Sequence, residues 1–263
     1  MFNLNGQVII ITGGETGIGL ATVEHLAAAG VNVVLGGILE DKGTEAANSI
    51  NAKGVGNVDF VQTDVRNLAQ VEELIAGTIR KYGKLDGLIC NAAIFDGFAG
   101  AVETSDELWE AIIDINLRGT FYACRAAIRH FLTVGKGNIV NVASVGGLVG
   151  GADGASYTAS KHAVIGLSKQ MACDYAKDGI RINTVCPGSI QTEMRANSTR
   201  ILGEHAPKMR GVGVDPEWLQ RTVPMQRKGK SADIADMILF LLSDKADYCV
   251  GQNFVVDGGW TAK

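Results

Sequence analysis

The sequence predicts an α/β fold: one doubly wound sheet of about seven parallel strands with helices on both faces. Three observations predict it. Short β-branched runs alternate along the chain with longer segments of helical periodicity. The runs are apolar without interruption, as strands covered on both faces must be. A glycine-rich turn joins the first run directly to the first helical segment.

The strands are expected at Val8–Ile11, Val31–Leu35, Val58–Gln62, Gly87–Cys90, Asn138–Val142, Ile180–Val185 and Asn253–Val256. The helices are expected at Leu20–Ala29, Lys42–Ala52, Leu68–Lys81, Asp106–Leu132, Tyr157–Lys177 and Ser231–Leu242, where apolar residues recur at three- and four-residue spacing. Each strand-helix-strand unit then forms a right-handed crossover. Only 195–225 breaks the alternation. Lying beyond the sixth strand, at the carboxyl edge where open α/β sheets bind ligands, it reads as a mobile substrate lid on a single domain spanning 1–263.

The chain has 263 residues, 46% hydrophobic and 20% charged, enough to bury one large core. A net charge of −4 with no long Lys/Arg run argues against a nucleic-acid partner. No apolar stretch approaches the length of a membrane span, and the first residues lack the pattern of a secretory signal. The expected setting is therefore the cytoplasm, with a small-molecule substrate. Five scattered cysteines without a Cys-x-x-Cys pair fit neither a disulfide framework nor a zinc site, and the four histidines show no metal-ligand spacing.

The turn reads Thr12-Gly13-Gly14-Glu15-Thr16-Gly17-Ile18-Gly19. Gly13, Gly17 and Gly19 let the backbone approach a pyrophosphate, and the N-terminus of the following helix offers free N–H donors and a favourable dipole. This is the setting of a Rossmann-type dinucleotide site. The motif lacks the Lys-Ser/Thr ending of a nucleoside triphosphate loop. Farther along, Tyr157 and Lys161 stand four residues apart at the start of a helical segment, on one face. A nearby ammonium favours phenolate, so Lys161 is expected to lower the Tyr157 pKa and fit it for general acid–base work.

Together these residues resemble the short-chain dehydrogenase/reductase family, in its single-domain branch of about 250 residues. The resemblance covers nearly the whole chain. It rests on the glycine turn, Asp64-Val65 after the third strand, Asn91-Ala92-Ala93 after the fourth, Asn116 within Ile115-Asn116-Leu117-Arg118-Gly119-Thr120, Ser144 with Tyr157 and Lys161, Pro187-Gly188 with Thr192, and the closing Val256-Asp257-Gly258-Gly259.

The resemblance implies hydride transfer between a nicotinamide cofactor and a secondary alcohol or ketone. Tyr157 would exchange a proton with the substrate oxygen, Ser144 would hydrogen-bond that oxygen, Lys161 would also hold the nicotinamide ribose, and Asn116 would belong to a water-mediated relay reaching Lys161. The dinucleotide would lie along Gly13, Thr16, Gly17, Ile18, Gly19, Gly37, Asp64, Val65, Asn91, Ala92, Pro187, Gly188, Ile190 and Thr192. Phe95, Ser189, Met194 and the Val145–Gly151 loop would bound the substrate, with glycines 146–151 giving a roomy floor. Arg195, Arg200 and Arg210 are expected to be solvated at the surface. Family members commonly pair their two long helices into homotetramers, here through Asp106–Leu132 and Tyr157–Lys177.

Two positions depart from the family. Ala93 replaces a glycine. At the end of the second strand, Gly37 stands where NAD-preferring relatives carry an acid, and neither Ile38 nor Thr16 is the arginine that NADP-preferring relatives carry. The local charges, Glu15, Glu40 and Asp41 against Lys42, favour NAD over NADP. Three other functions fit parts of the pattern: 3-oxoacyl-carrier-protein reductase, sugar-nucleotide epimerase, and a sensor that binds dinucleotide without turnover.

Overall fold

The computed structural model describes residues 2–54 and 56–262; Met1, Val55 and Lys263, within the unit predicted to span 1–263, lie outside them. Seven strands, β1 (Val8–Thr12), β2 (Asn32–Gly37), β3 (Asn57–Gln62), β4 (Gly87–Cys90), β5 (Gly137–Val142), β6 (Ile180–Pro187) and β7 (Asn253–Val256), form one sheet in the order β3-β2-β1-β4-β5-β6-β7. Every pair is parallel. The order reverses between β1 and β4, the switch point where open α/β sheets bind ligands.

Strand alternation divides the core between two layers. Ile10, Val34 and Leu88 face one layer with Leu74, Ile112 and Phe131, carried by α3 (Leu68–Tyr82), α4 (Asp106–Ile112) and α5 (Thr120–Val134). Ile9, Ile11, Val33 and Leu35 face the other with Leu26, Ala47 and Ile238, carried by α1 (Gly17–Ala28), α2 (Glu40–Ala52) and α9 (Ser231–Leu242). All five residues of β1 are buried, which explains its unbroken apolar run.

Helix ends follow local chemistry. Asn67 caps α3 by accepting from the Ala69 and Gln70 amides, Ser105 caps α4, and left-handed Gly83 and Gly135 close α3 and α5. The start of α1 differs: Thr16 makes no side-chain cap and no acid lies in the first turn, so its amides stay open to a ligand.

One expectation needs correction. The long helix expected at Asp106–Leu132 is interrupted by a π-helical turn, Ile113–Gly119, that holds Asn116. In that wide turn the Asn116 carbonyl accepts from Thr120 Oγ1 at 2.8 Å. Segment 195–225 breaks the strand–helix alternation as expected, and does so with helices: it carries most of α7 (Met194–Leu202) and all of α8 (Pro216–Thr222), the latter capped by Asp215, with no strand between them. Its polar residues hid the periodicity. The helix after β5, α6, runs over Ala155–Tyr175, and no helix among the described residues is long and apolar enough to cross a membrane.

Candidate active site

A cleft opens at the carboxyl ends of the strands. Gly13, Thr16, Gly17, Ile18, Gly37, Asp64, Val65, Asn91, Ala92, Pro187, Gly188, Ile190 and Thr192 line it with Ser144, Tyr157, Lys161, Phe95, Ser189 and Met194. Of the individual residues assigned to catalysis, cofactor or substrate, Gly19 and Asn116 do not line it, and of the Val145–Gly151 loop only Val145 does.

The glycines of the turn are needed first for protein packing. A Cβ on Gly13 would come within 2.6 Å of Ala92 Cα, and one on Gly19 would overlap the Gly13 carbonyl and Asn91 Nδ2. Asn91 Nδ2 donates to Gly13 O at 2.6 Å, so the turn is clamped to the end of β4. Gly13 and Gly17 have φ of 65° and 55°, a conformation that favours glycine. Gly13 and Gly19, expected to let the backbone approach a pyrophosphate, thus also serve the protein itself, because side chains there would strike neighbouring segments.

Opposite lies the chemistry. Ser144 follows β5, while Tyr157 and Lys161 sit on the first turns of α6; all three are buried. Lys161 Nζ donates to Val142 O at 2.8 Å and lies 5.4 Å from the centre of the Tyr157 ring. Phe95 packs edge-on against Tyr157 with centroids 5.2 Å apart. Asn116 Oδ1 accepts from Ile94 N at 2.9 Å, and its Nδ2 donates to Ile94 O and Ser160 Oγ, tying the β4 loop to α6.

Two carboxylates missing from the sequence reading complete this centre. Asp96, fully buried, accepts from Tyr157 N at 2.9 Å and Ser156 Oγ at 3.0 Å, fixing the start of α6. Asp153 accepts from Ser144 Oγ at 3.2 Å. Asp153 also fills the space a Cβ on Gly146 would need, and Gly147 packs on Lys161 O and Ile165. The roomy floor expected from 146–151 is therefore filled at its first two glycines.

The electrostatics reverse one expectation. Burial pushes Tyr157 well above the usual tyrosine range, and the charges of Asp153 and Asp96 push it further, against a hydrogen bond with Ser144. Lys161 does not bring it down: its ammonium turns to Val142 O, and burial lowers it to about 8. Burial, opposed by the Ser144 hydrogen bond and reinforced by Asp96, raises Asp153 to about 7.

Around the mouth, Asp64 is bound by Arg66 through both carboxylate oxygens and does not cap α3. Arg200 pairs with Asp41 and Arg210 with Glu103 at the surface. Arg195 departs from that expectation: its guanidinium lies 5.0 Å from the Phe95 ring centre and lines the cleft. Thr16 Oγ1 accepts from Asn197 Nδ2 at 2.9 Å, and Lys42 bridges to Glu193 and Asn197, so α7 is tied across the glycine turn. No cluster of potential metal ligands occurs among the described residues.

Residues 13–261 match the protein family described as enoyl-(acyl carrier protein) reductase. The chain is 37% identical over 263 residues to 2,5-dichloro-2,5-cyclohexadiene-1,4-diol dehydrogenase of Sphingobium indicum, with 100% of both chains covered. The chain is a short-chain dehydrogenase/reductase. Another relative is 3beta-hydroxysteroid dehydrogenase 2 of Eggerthella lenta, 35% identical over 98% of this chain and 96% of that one. Among solved structures, levodione reductase superposes with a TM-score of 0.88 at 32% identity, covering 100% of this short-chain dehydrogenase/reductase and 99% of its own chain. Membership makes the protein an oxidoreductase of alcohols and ketones that works with a nicotinamide cofactor.

Proposed function

We propose that the protein is an NAD-preferring dehydrogenase or reductase of secondary alcohols and ketones carried on rings. The supporting observation is the convergence of Ser144, Tyr157 and Lys161 on one wall of a cleft whose other end is the glycine turn and the uncapped start of α1. The dinucleotide fits that end: Gly13 and Gly17 keep the backbone bare there, and a buried oxygen of Glu15 is left without a partner. When bound, it supplies or accepts the hydride, chemistry that no side chain provides.

This chain's own residues handle the proton. Tyr157, protonated across the physiological range, donates to the ketone oxygen in reduction and must lose its proton in the reverse direction. Ser144 turns its hydroxyl from Asp153 to that oxygen and stabilises the charge developing on it. Lys161 holds its cation behind the phenol and binds the ribose. Asn116 keeps the β4 loop and α6 in register so that a water can reach Lys161. Phe95, Ile201, Val212 and Met194 offer a ring an apolar wall, and Ser189 a polar contact. The relatives named for cyclohexadienediol and hydroxysteroid substrates support the ring class.

The whole chain then acts as one dinucleotide-binding and catalytic domain, with 195–225 as its cover. Trp109, Phe121 and Leu132, exposed on α4 and α5, suit helix pairing in a homotetramer, which light scattering checks. A carrier-linked 3-oxoacyl substrate is the second reading, suggested by the acyl-carrier name of the matched family; the net charge of −4 weighs against docking an acidic carrier. A cyclic-alcohol panel assayed with NAD and NADP by near-ultraviolet absorbance, alongside a 3-oxoacyl thioester, decides between them. Turnover of the thioester alone would overturn the ring reading.

A further inference from the structure

The carboxylate absent from the end of β2 is present in space. Gly37 closes that strand, and a Cβ built on it would overlap both carboxylate oxygens of Glu15, which belongs to the glycine turn. Glu15 is 6% exposed. Its Oε1 accepts from Leu39 N at 3.3 Å, while Oε2 has no hydrogen-bond partner although it is buried. Glu15 and Gly37 both line the cleft. A buried carboxylate oxygen without a donor is costly, and a ligand hydroxyl arriving there would satisfy it.

As the chain stands, a side chain at residue 37 fits only if the Glu15 carboxylate moves aside. A carboxylate grown from residue 37 would occupy the volume Glu15 already fills, so the glycine is the counterpart of Glu15 and not a lost determinant. The neighbouring cations are committed elsewhere: Lys42 to Glu193 and Asn197, and Arg200 to Asp41. A ribose 2′-phosphate would meet the carboxylate with no free cation from these two residues to offset it.

We propose that Glu15, reaching from the glycine turn into the space above Gly37, is the residue that reads the adenosine ribose hydroxyls and excludes a 2′-phosphate. The proposal rests on the NAD preference proposed above. Calorimetric titration of NAD, NADP and 2′-deoxy-NAD separates the two. Wild type binds NAD tightest, and Glu15→Ala weakens NAD by about tenfold to a hundredfold, the range for losing hydrogen bonds to a charged acceptor. Glu15→Ala also makes NAD and its 2′-deoxy analogue equivalent, and narrows the gap to NADP. Glu15→Gln, which keeps the shape, moves the same way and decides the matter if the alanine variant does not fold. Gly37→Asp alone binds NAD poorly because the two acids collide, whereas Glu15→Ala with Gly37→Asp restores NAD binding.

Wild type binding NADP more tightly than NAD would remove the cofactor reading itself. Wild type preferring NAD while Glu15→Ala and Glu15→Gln keep that preference, and still discriminate the 2′-deoxy analogue, would overturn the role of Glu15 alone.

Discussion

The floor of the cleft and its cover are held by different forces. On the floor, Tyr157, Lys161, Asn116 and Asp96 are all buried, and the last three bond backbone through their side chains: Lys161 to Val142 O, Asn116 to both polar groups of Ile94, and Asp96 to Tyr157 N. The cover has a buried anchor of its own, Ser198, whose hydroxyl accepts from Phe95 N at 2.9 Å, and beyond it is tied by exposed pairs, Glu193 with Lys42, Arg200 with Asp41 and Arg210 with Glu103. Buried hydrogen bonds are expensive to break, while exposed ion pairs contribute little and weaken with salt. Chemistry is thus placed where buried bonds hold the chain, and access beside edges pinned by pairs that open cheaply.

The largest effect tests the floor. Tyr157→Phe should lower kcat by about a hundredfold to ten-thousandfold while leaving dinucleotide affinity nearly intact, as steady-state kinetics and binding titrations will read. Unchanged turnover would mean that the buried phenol is only packing. Next, Asp96→Ala removes the acceptor for three donors, Tyr157 N, Ser156 Oγ and Phe98 N. It should cost about 1–3 kcal/mol of stability in denaturant titration.

The smaller effects concern protons and the cover. The carboxyl of Asp153, raised to about 7 in the folded protein from 3.8, is destabilising once ionised. The native state binds the extra proton between those values, so stability falls as pH rises from about 4 through about 7. Asp153→Asn should flatten that part of the profile in thermal melts. Because the Asp153 charge raises Tyr157, the same substitution should move the rising limb of the pH–rate profile for alcohol oxidation to lower pH. Smallest of all, Glu193→Gln should raise substrate KM by about fivefold or less, with added salt reproducing the effect in wild type. A larger loss would show the cover to be as firmly built as the floor.

Much of this was legible in the chain because it is local. The strands are continuous apolar runs, the phosphate turn is contiguous, and Tyr157 and Lys161 are one helical turn apart. What escaped depends on distant segments meeting. Asp96 and Asp153 belong to loops with no motif, and they matter only because α6 and Ser144 pack against them. Glu15 was visible as a charge, but its occupation of the space beside Gly37 requires β2 to lie next to β1. The π turn at Asn116 was invisible to helical periodicity, which one extra residue barely disturbs. The reversal of the Tyr157 shift has the same origin: four-residue spacing brings Lys161 near, but burial and two remote acids decide the sign.

The position of β1 has a consequence for how the molecule is made. Ile9 pairs with Val33 on one side and with Gly87 on the other. The first of the seven strands in chain order therefore lies inside the sheet and waits for three crossovers, through α1, α2 and α3, before both its edges are covered. Pairings so remote along the chain are slow to form, and an uncovered run of Val8 to Ile11 invites association with other chains meanwhile. Yield from refolding at high concentration should suffer for that reason, however stable the finished sheet.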